Sequence, residues 1–212
     1  MKIAQGAEAV ISKEDGKILK DRIKKNYRIT QIDIPLRKQR TRTEAKLLAE
    51  TRRAGVPTPQ VLEVSETKIV MEEIKGETLK ILFTNPKENK RKSEIAYNIG
   101  QLIARLHKAG IVHGDLTSSN IILRAENNNS SQEQAINNII FIDFGLGFFS
   151  SRTEDYAQDL AVLKEALQST HFSLFNQLWK EVTRGYGQWS EASKVFKVLK
   201  AIETRGRYIK RR

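Results

Sequence analysis

Two short apolar stretches of this chain each carry an acid that a fold can bring into a cleft. In Ile111-Val112-His113-Gly114-Asp115-Leu116-Thr117-Ser118-Ser119-Asn120-Ile121-Ile122-Leu123 a carboxylate and an amide stand five residues apart, between an apolar pair and an apolar triplet. Ile140-Phe141-Ile142-Asp143-Phe144-Gly145 supplies a second carboxylate. Two buried strands that deliver such groups to one place suit phosphoryl transfer, which depends on positioning and charge stabilisation. In that chemistry Asp115 orients a nucleophile, while Asn120 and Asp143 hold a divalent metal on nucleotide phosphates.

Such a site needs rigid elements on either side of it. The helical spacing of Ile95, Ile99, Leu102, Ile103 and Leu106 predicts a helix over Ser93–Ala109, with Ser93 as N-cap and Gly110 as stop. The strand Ile121–Leu123 follows the loop, and Ile139–Ile142 delivers Asp143. The polar run between Ala125 and Asn138 is expected to be a solvated hairpin loop without chemistry.

Upstream, Val10-Ile11 and Ile18-Leu19 flank Glu14-Asp15-Gly16-Lys17, a strong hairpin signal. Gln5-Gly6-Ala7-Glu8-Ala9 is the turn leading into this ribbon, over the phosphates if the chain binds a nucleotide. Lys20 ends the second strand and either faces solvent or, held by a carboxylate, contacts phosphate. Its partner should lie on a helix predicted over Leu36–Ala54, where Glu44 precedes the inward Ala45. An ordinary surface pairing of Glu44 with Arg40 is equally compatible with the spacing. Strands Val61–Val64 and Lys68–Met71 follow, then Met71–Gly76 as a hinge between lobes. There an exposed backbone at Met71, Glu72 and Ile74 can meet an adenine edge.

After Gly145 the pattern predicts helices over Glu154–Gln168, Leu174–Tyr186 and Glu191–Glu203. The aromatics Phe172, Phe175, Trp179, Trp189 and Phe196 recur at helical spacing and are expected in the core.

The 212 residues suffice for one domain or two small lobes. With no cysteine, disulfides, thiolate metal sites and cysteine nucleophiles are excluded. No apolar run approaches the roughly 20 residues of a membrane span. The start lacks a signal-peptide core, so a cytoplasmic location is expected. The net charge of +12 is clustered, first from Lys20 to Arg42 and again over Arg205-Gly206-Arg207-Tyr208-Ile209-Lys210-Arg211-Arg212. Clustering of that kind points to a polyanionic partner.

His113-Gly114-Asp115 with Asn120, followed by Asp143-Phe144-Gly145, resembles the catalytic loop and metal motif of protein kinases in order and spacing. The resemblance implies an α+β, small two-lobed protein-kinase-like fold. Residues 1–75 would form a β-rich nucleotide-binding N-lobe with one main helix, and 76–212 a reduced, mostly helical catalytic C-lobe with a basic tail. It also makes Lys20 and Glu44 the nucleotide-positioning ion pair. The departures are informative. Gly114 stands where regulated kinases carry arginine, Thr117 replaces a lysine, the glycine-rich loop is reduced to Gly6, and only Leu146–Thr153 separate Gly145 from the next helix.

These departures, with Arg42-Thr43-Glu44-Ala45, Met71-Glu72-Glu73-Ile74-Lys75-Gly76 and Arg205-Gly206-Arg207, are similar to the Bud-type atypical kinase/ATPase subunit of the KEOPS complex, related to RIO kinases. The resemblance implies ATP and Mg²⁺ as cofactors and a role in threonylcarbamoyladenosine modification of tRNA. It further implies a threonylcarbamoyl-transferase subunit and a small accessory subunit as partners. The nucleotide would meet Gln5, Gly6, Ala7, Lys20, Met71, Glu72, Ile74, Asn120 and Asp143. The tail residues Arg205, Arg207, Lys210, Arg211 and Arg212 would contact tRNA. A stand-alone Ser/Thr kinase and a tRNA-binding scaffold with vestigial ATP binding are the two rival readings.

Overall fold

Asp15 and Gly16, at φ 46° and 72°, reverse the chain between strands β2 (Ala9–Glu14) and β3 (Lys17–Arg22) in a two-residue turn. Positive φ at both positions matches the twist of the flanking strands, which is why Asp-Gly serves there. The computed structural model describes residues 2–5, 8–85, 89–125 and 136–209. A further strand, β1 (Lys2–Gln5), precedes the hairpin and pairs with β2, so the ribbon has one strand more than the sequence pattern predicts. With β4 (Val61–Val64) and β5 (Lys68–Glu72) these make an antiparallel sheet of order β1-β2-β3-β5-β4.

Helix α1 (Thr30–Arg53) packs on this sheet and begins six residues before the predicted start at Leu36. Pro35 lies inside it, where its missing N–H removes one helical hydrogen bond. Across that gap Arg37 Nε donates to Asp33 Oδ2 at 2.7 Å, an i,i+4 pair that helps hold the first turns. Lys20 sits within β3 rather than at its end, because the strand continues to Arg22.

The second half of the chain is built on α3 (Asn89–Lys108), which follows β6 (Gly76–Thr78) and the short α2 (Leu79–Thr84). It starts four residues before Ser93. That hydroxyl accepts a hydrogen bond from Gln177 Nε2 at 2.7 Å instead of capping the helix. Helix α3 leads through β7 (Ile111–Val112) and the catalytic-loop sequence to β8 (Ile121–Arg124). Strand β8 pairs with β6 and with β9 (Ile139–Phe141), and β10 (Phe148–Phe149) pairs with β7. The polar insert between β8 and β9 lies largely outside the described residues.

Helices α4 (Thr153–Thr170), α5 (Phe175–Tyr186) and α6 (Ala192–Ile209) complete the core, with α5 packed along α3 and α6 along α4. Leu102, Ile103, Leu106, Leu160, Leu178 and Tyr186 are buried there, and Phe175, Trp179, Trp189 and Phe196 pack against them. Phe172 departs from its core assignment: it lies in a short 3-10 turn, Phe172–Leu174, and is 82% exposed. Among the described residues no helix is long and apolar enough to cross a membrane. The fold is thus an α+β, two-lobed protein-kinase-like architecture.

The first basic cluster is not the free surface that its sequence suggests. Arg22 is buried, Arg37 pairs with Asp33, and Arg28 and Arg40 close on Glu8. Much of its charge is therefore matched within the lobe.

Candidate active site

Alternation along β3 turns Lys20 and Arg22 to the same inward face, two residues apart. Lys20 Nζ donates to Glu44 Oε1 at 2.6 Å and to Asp143 Oδ1 at 2.7 Å. Glu44 is 1% exposed, which a carboxylate tolerates only when paired. The surface pairing with Arg40 does not form; Arg40 closes on Glu8 instead.

Asp143 follows β9 in a left-handed conformation, φ 60°, and the Gly145 N–H donates to its Oδ1 at 3.2 Å. Burial disfavours ionisation of Asp143. The charge and hydrogen bond of Lys20, with the Gly145 N–H, outweigh that, so the carboxyl stays below its usual range. Asp143 is therefore ionised at neutral pH, as a cation ligand must be.

Asn120 Nδ2 donates to the carbonyl oxygen of Asp115 and to Asp115 Oδ2, both at 2.9 Å. The amide thus fixes the carboxylate and leaves its own carbonyl oxygen as the atom able to reach a metal. Asp143 carboxylate and Asn120 carbonyl are hard oxygen donors, the set that suits Mg²⁺. Among the described residues no group of three or more His, Cys, Asp or Glu side chains is placed to hold a metal. An ion at Asp143 and Asn120 would have to share its remaining ligands with phosphate or water.

The loop that carries Asp115 is anchored from below by a residue that sequence reasoning missed. Asp159 on α4 accepts the N–H of His113 at 2.8 Å and that of Gly114 at 2.9 Å. His107 Nε2 lies 3.2 Å from Asp159 Oδ2, and His107 Nδ1 lies 2.9 Å from the Tyr186 hydroxyl. Burial opposes the charge of Asp159, but its hydrogen bond and attraction to His107, with help from His113, keep the carboxyl below its ordinary range. A signal was present: Asp159 is a lone acid on the apolar face of α4, beside Tyr156, Leu160 and Leu163. Replacing Asp159 by Asn puts an NH₂ against buried donors. We expect it to cost about 1–3 kcal/mol of stability and to lower turnover, read by thermal melts and rate measurements on the same protein.

His113 is fully buried, with its Nε2–H donating to the Ile142 carbonyl at 3.1 Å and Nδ1 accepting the Asp115 N–H at 3.3 Å. Burial pushes its imidazole below the ordinary range, so it is a neutral strut between loop and metal-motif strand rather than a proton carrier.

Lys20, Asp115 and Asp143 line one cleft of about 220 Å³ together with Arg22, Glu8 and Leu146. A larger cavity of about 680 Å³ is lined by residues of α3 and α5, including Glu94, Tyr97 and Arg184, but none of the groups above faces it. Of the predicted hinge residues, Glu72 has its carboxylate engaged by Arg124 Nη2, 2.7 Å away. Its N–H donates to the Gln60 carbonyl at 2.9 Å. Met71 and Ile74 are half-buried beside it. Gln5 lies in β1, whereas Gly6 and Ala7 fall outside the described residues. Arg205 and Arg207 ride on the last turns of α6; Lys210, Arg211 and Arg212 lie outside the described residues.

A β-rich lobe that pairs a strand lysine with a helix glutamate, above a His-Gly-Asp loop and an Asp-Phe-Gly turn, defines a kinase-like phosphotransferase. Comparison with known proteins agrees. The Lipopolysaccharide kinase (Kdo/WaaP) family model matches residues 8–186. A WaaP structure in complex with acyl carrier protein superposes with TM-score 0.68 at 16% identity, covering 96% of this chain and 88% of that one. A Rio2 kinase–ADP/Mg²⁺-phosphoaspartate complex from Chaetomium thermophilum gives 0.61 at 17% identity, over 98% and 70%.

Closer relatives identify the branch. The "KEOPS complex subunit Bud32" of Pyrococcus abyssi is 43% identical over 92% of this chain and 85% of its own. The "Probable serine/threonine-protein kinase BUD32 homolog" of Archaeoglobus fulgidus is 39% identical over 100% and 98%. The chain belongs to the Bud32 family of atypical kinases. It also matches the "Probable bifunctional tRNA threonylcarbamoyladenosine biosynthesis protein" of Methanothermobacter thermautotrophicus at 42% identity over 97% of its own length, but spans only 36% of that longer relative.

Proposed function

We propose that this chain is the ATP-consuming subunit of a tRNA-modifying assembly, an atypical Ser/Thr kinase/ATPase that supports threonylcarbamoyladenosine formation. The observation that carries the reading is the Glu44–Lys20–Asp143 chain, a buried ion pair reaching a half-exposed carboxylate, which joins strand, helix and metal motif at hydrogen-bond distances. The names of the relatives, a KEOPS complex subunit and a tRNA threonylcarbamoyladenosine biosynthesis protein, support the biological setting.

In this reading residues 1–75 form the nucleotide lobe and 76–212 the catalytic lobe. The backbone at Met71, Glu72 and Ile74 receives the adenine, and the turn at Gln5, Gly6 and Ala7 covers the phosphates. Lys20, fixed by Glu44, contacts those phosphates. Asp143 and Asn120 hold Mg²⁺, which when bound neutralises charge on the phosphate oxygens. Asp115, held by Asn120, orients water or a Ser/Thr hydroxyl. A cytoplasmic location, a threonylcarbamoyl-transferase subunit and a small accessory subunit as partners, and tRNA contact through Arg205, Arg207, Lys210, Arg211 and Arg212 complete the proposal.

The test is ATP hydrolysis and tRNA binding by the full chain and by a chain ending at Thr204, each with and without the transferase subunit. We expect ATP hydrolysis that responds to subunit and tRNA. In the shortened chain we expect tRNA binding whose salt dependence falls by about one unit of slope for each phosphate that the tail would otherwise neutralise. No hydrolysis under any condition would sink the ATPase reading, and an unchanged salt slope would leave the tail without a role in tRNA binding.

A further inference from the structure

Arg22 lies inside the cleft, although no step of the proposed chemistry uses it. It is 3% exposed, and its Nη2 donates to Glu44 Oε2 at 2.5 Å, while Lys20 occupies Oε1. Its Nη1 lies 3.6 Å from Glu8 Oε2, and Glu8 is also closed upon by Arg28 and Arg40. Its Nε is buried and finds no hydrogen-bond partner among the described residues. A Cβ at Gly145 would stand 3.6 Å from Nη2, so the guanidinium lies beside the Asp143-Phe144-Gly145 turn.

The charges around it do not balance once the site is in use. Glu44 is shared by two cations, and the second carboxylate on Lys20 is Asp143. Asp143 is the group that the proposed reading gives to the metal. When it turns away, Lys20 and Arg22 are left sharing Glu44, with Glu8 beyond it already divided among Arg22, Arg28 and Arg40, so positive charge is in excess where little water reaches. A buried surplus charge is costly unless an anion matches it.

We infer that Arg22 is a positioning residue for the phosphates of the bound nucleotide. By occupying Glu44 Oε2 it fixes that carboxylate and keeps Lys20 only partly neutralised, so that polyphosphate completes the match when Asp143 leaves. This rests on the reading of the cleft as an ATP site. A merely structural role, pinning α1 to β3, would affect folding without distinguishing ligands by their phosphates.

The experiment compares the full-length chain with its Arg22→Gln variant, titrated with MgATP and, separately, with adenosine. MgATP should bind roughly ten- to a hundredfold more weakly to the variant, the range for losing a hydrogen bond to a charged group, with adenosine affinity unchanged. Arg22→Lys keeps the charge but loses the fork and should fall between the two. Equal weakening of both ligands, or an unchanged MgATP affinity, overturns the inference. If Arg22→Gln fails to fold, Arg22→Lys decides: a wild-type MgATP affinity in that variant overturns it as well. Failure of the unaltered chain to bind MgATP would be a different result, because it overturns the ATP reading itself and the role of Arg22 with it.

Discussion

Asp143→Ala is expected to lower Mg²⁺-dependent ATP turnover by about 10³-fold or more while leaving the chain folded. The magnitude follows from the cost of deleting a single preorganised charge-stabilising group, about 10²–10³ in rate, with loss of a metal ligand added. Folding should survive because Asp143 is half exposed and follows β9 rather than filling the core; its side chain shows 45% accessibility. Removal also frees Lys20 from one of its two carboxylates, and Glu44 still holds it. Lobe packing should therefore persist, visible as an unchanged near-UV circular dichroism spectrum. Wild-type turnover in the purified variant would show that the metal lies elsewhere.

Gly114→Arg, which restores the residue usual in regulated kinases, should do the opposite: damage the fold and the activity together. Gly114 has φ 80°, a conformation that costs a residue with a Cβ about 1–2 kcal/mol. A Cβ there would also lie 2.6 Å from the carbonyl carbon of Leu146 and closer still to its oxygen. Backbone would have to move, adding about 1–3 kcal/mol for overpacking. The total is roughly 2–5 kcal/mol, which in a chain of this size lowers the melting temperature by about 5–15 °C. The displaced backbone is the one that Asp159 holds and on which Asp115 is mounted, so turnover should fall at temperatures where the variant is still folded. A melting temperature and rate equal to wild type would show that the loop tolerates a side chain at this position.

Much of this site can be read from order and spacing. His113, Asp115, Asn120 and Asp143 stand in a pattern whose chemistry is local, and short apolar strands on either side fix where each must point. The Asp15-Gly16 hairpin is equally legible, since its turn type demands those residues. What spacing does not supply is pairing across the chain. Lys20 and Glu44 are separated by 24 positions, and nothing within either neighbourhood distinguishes a buried ion pair from two solvated charges. Arg22 misleads for the same reason: in a run of basic residues it looks like surface, whereas strand alternation carries it inside. Asp159 shows in the sequence only as an acid on an apolar helix face, because two of its partners are backbone N–H groups, which carry no sequence signature. The early start of α1 is hidden by Pro35, and the exposure of Phe172 by a helical spacing that continues past the end of its helix.

The pairing of β10 with β7 carries a consequence for control. The residues after Asp143-Phe144-Gly145 are stitched onto the strand just before the catalytic loop, and the Ser150 N–H closes the seam on the Gly110 carbonyl at 2.8 Å. In regulated kinases this is the stretch that idles in disorder until a phosphate gathers it. Here the stretch is already in place, so a phosphate added there would have nothing to assemble. In the reading proposed above, restraint on idle ATP consumption would then fall to a partner protein. Measuring hydrolysis with and without the proposed transferase subunit reads that restraint as directly as it reads activation.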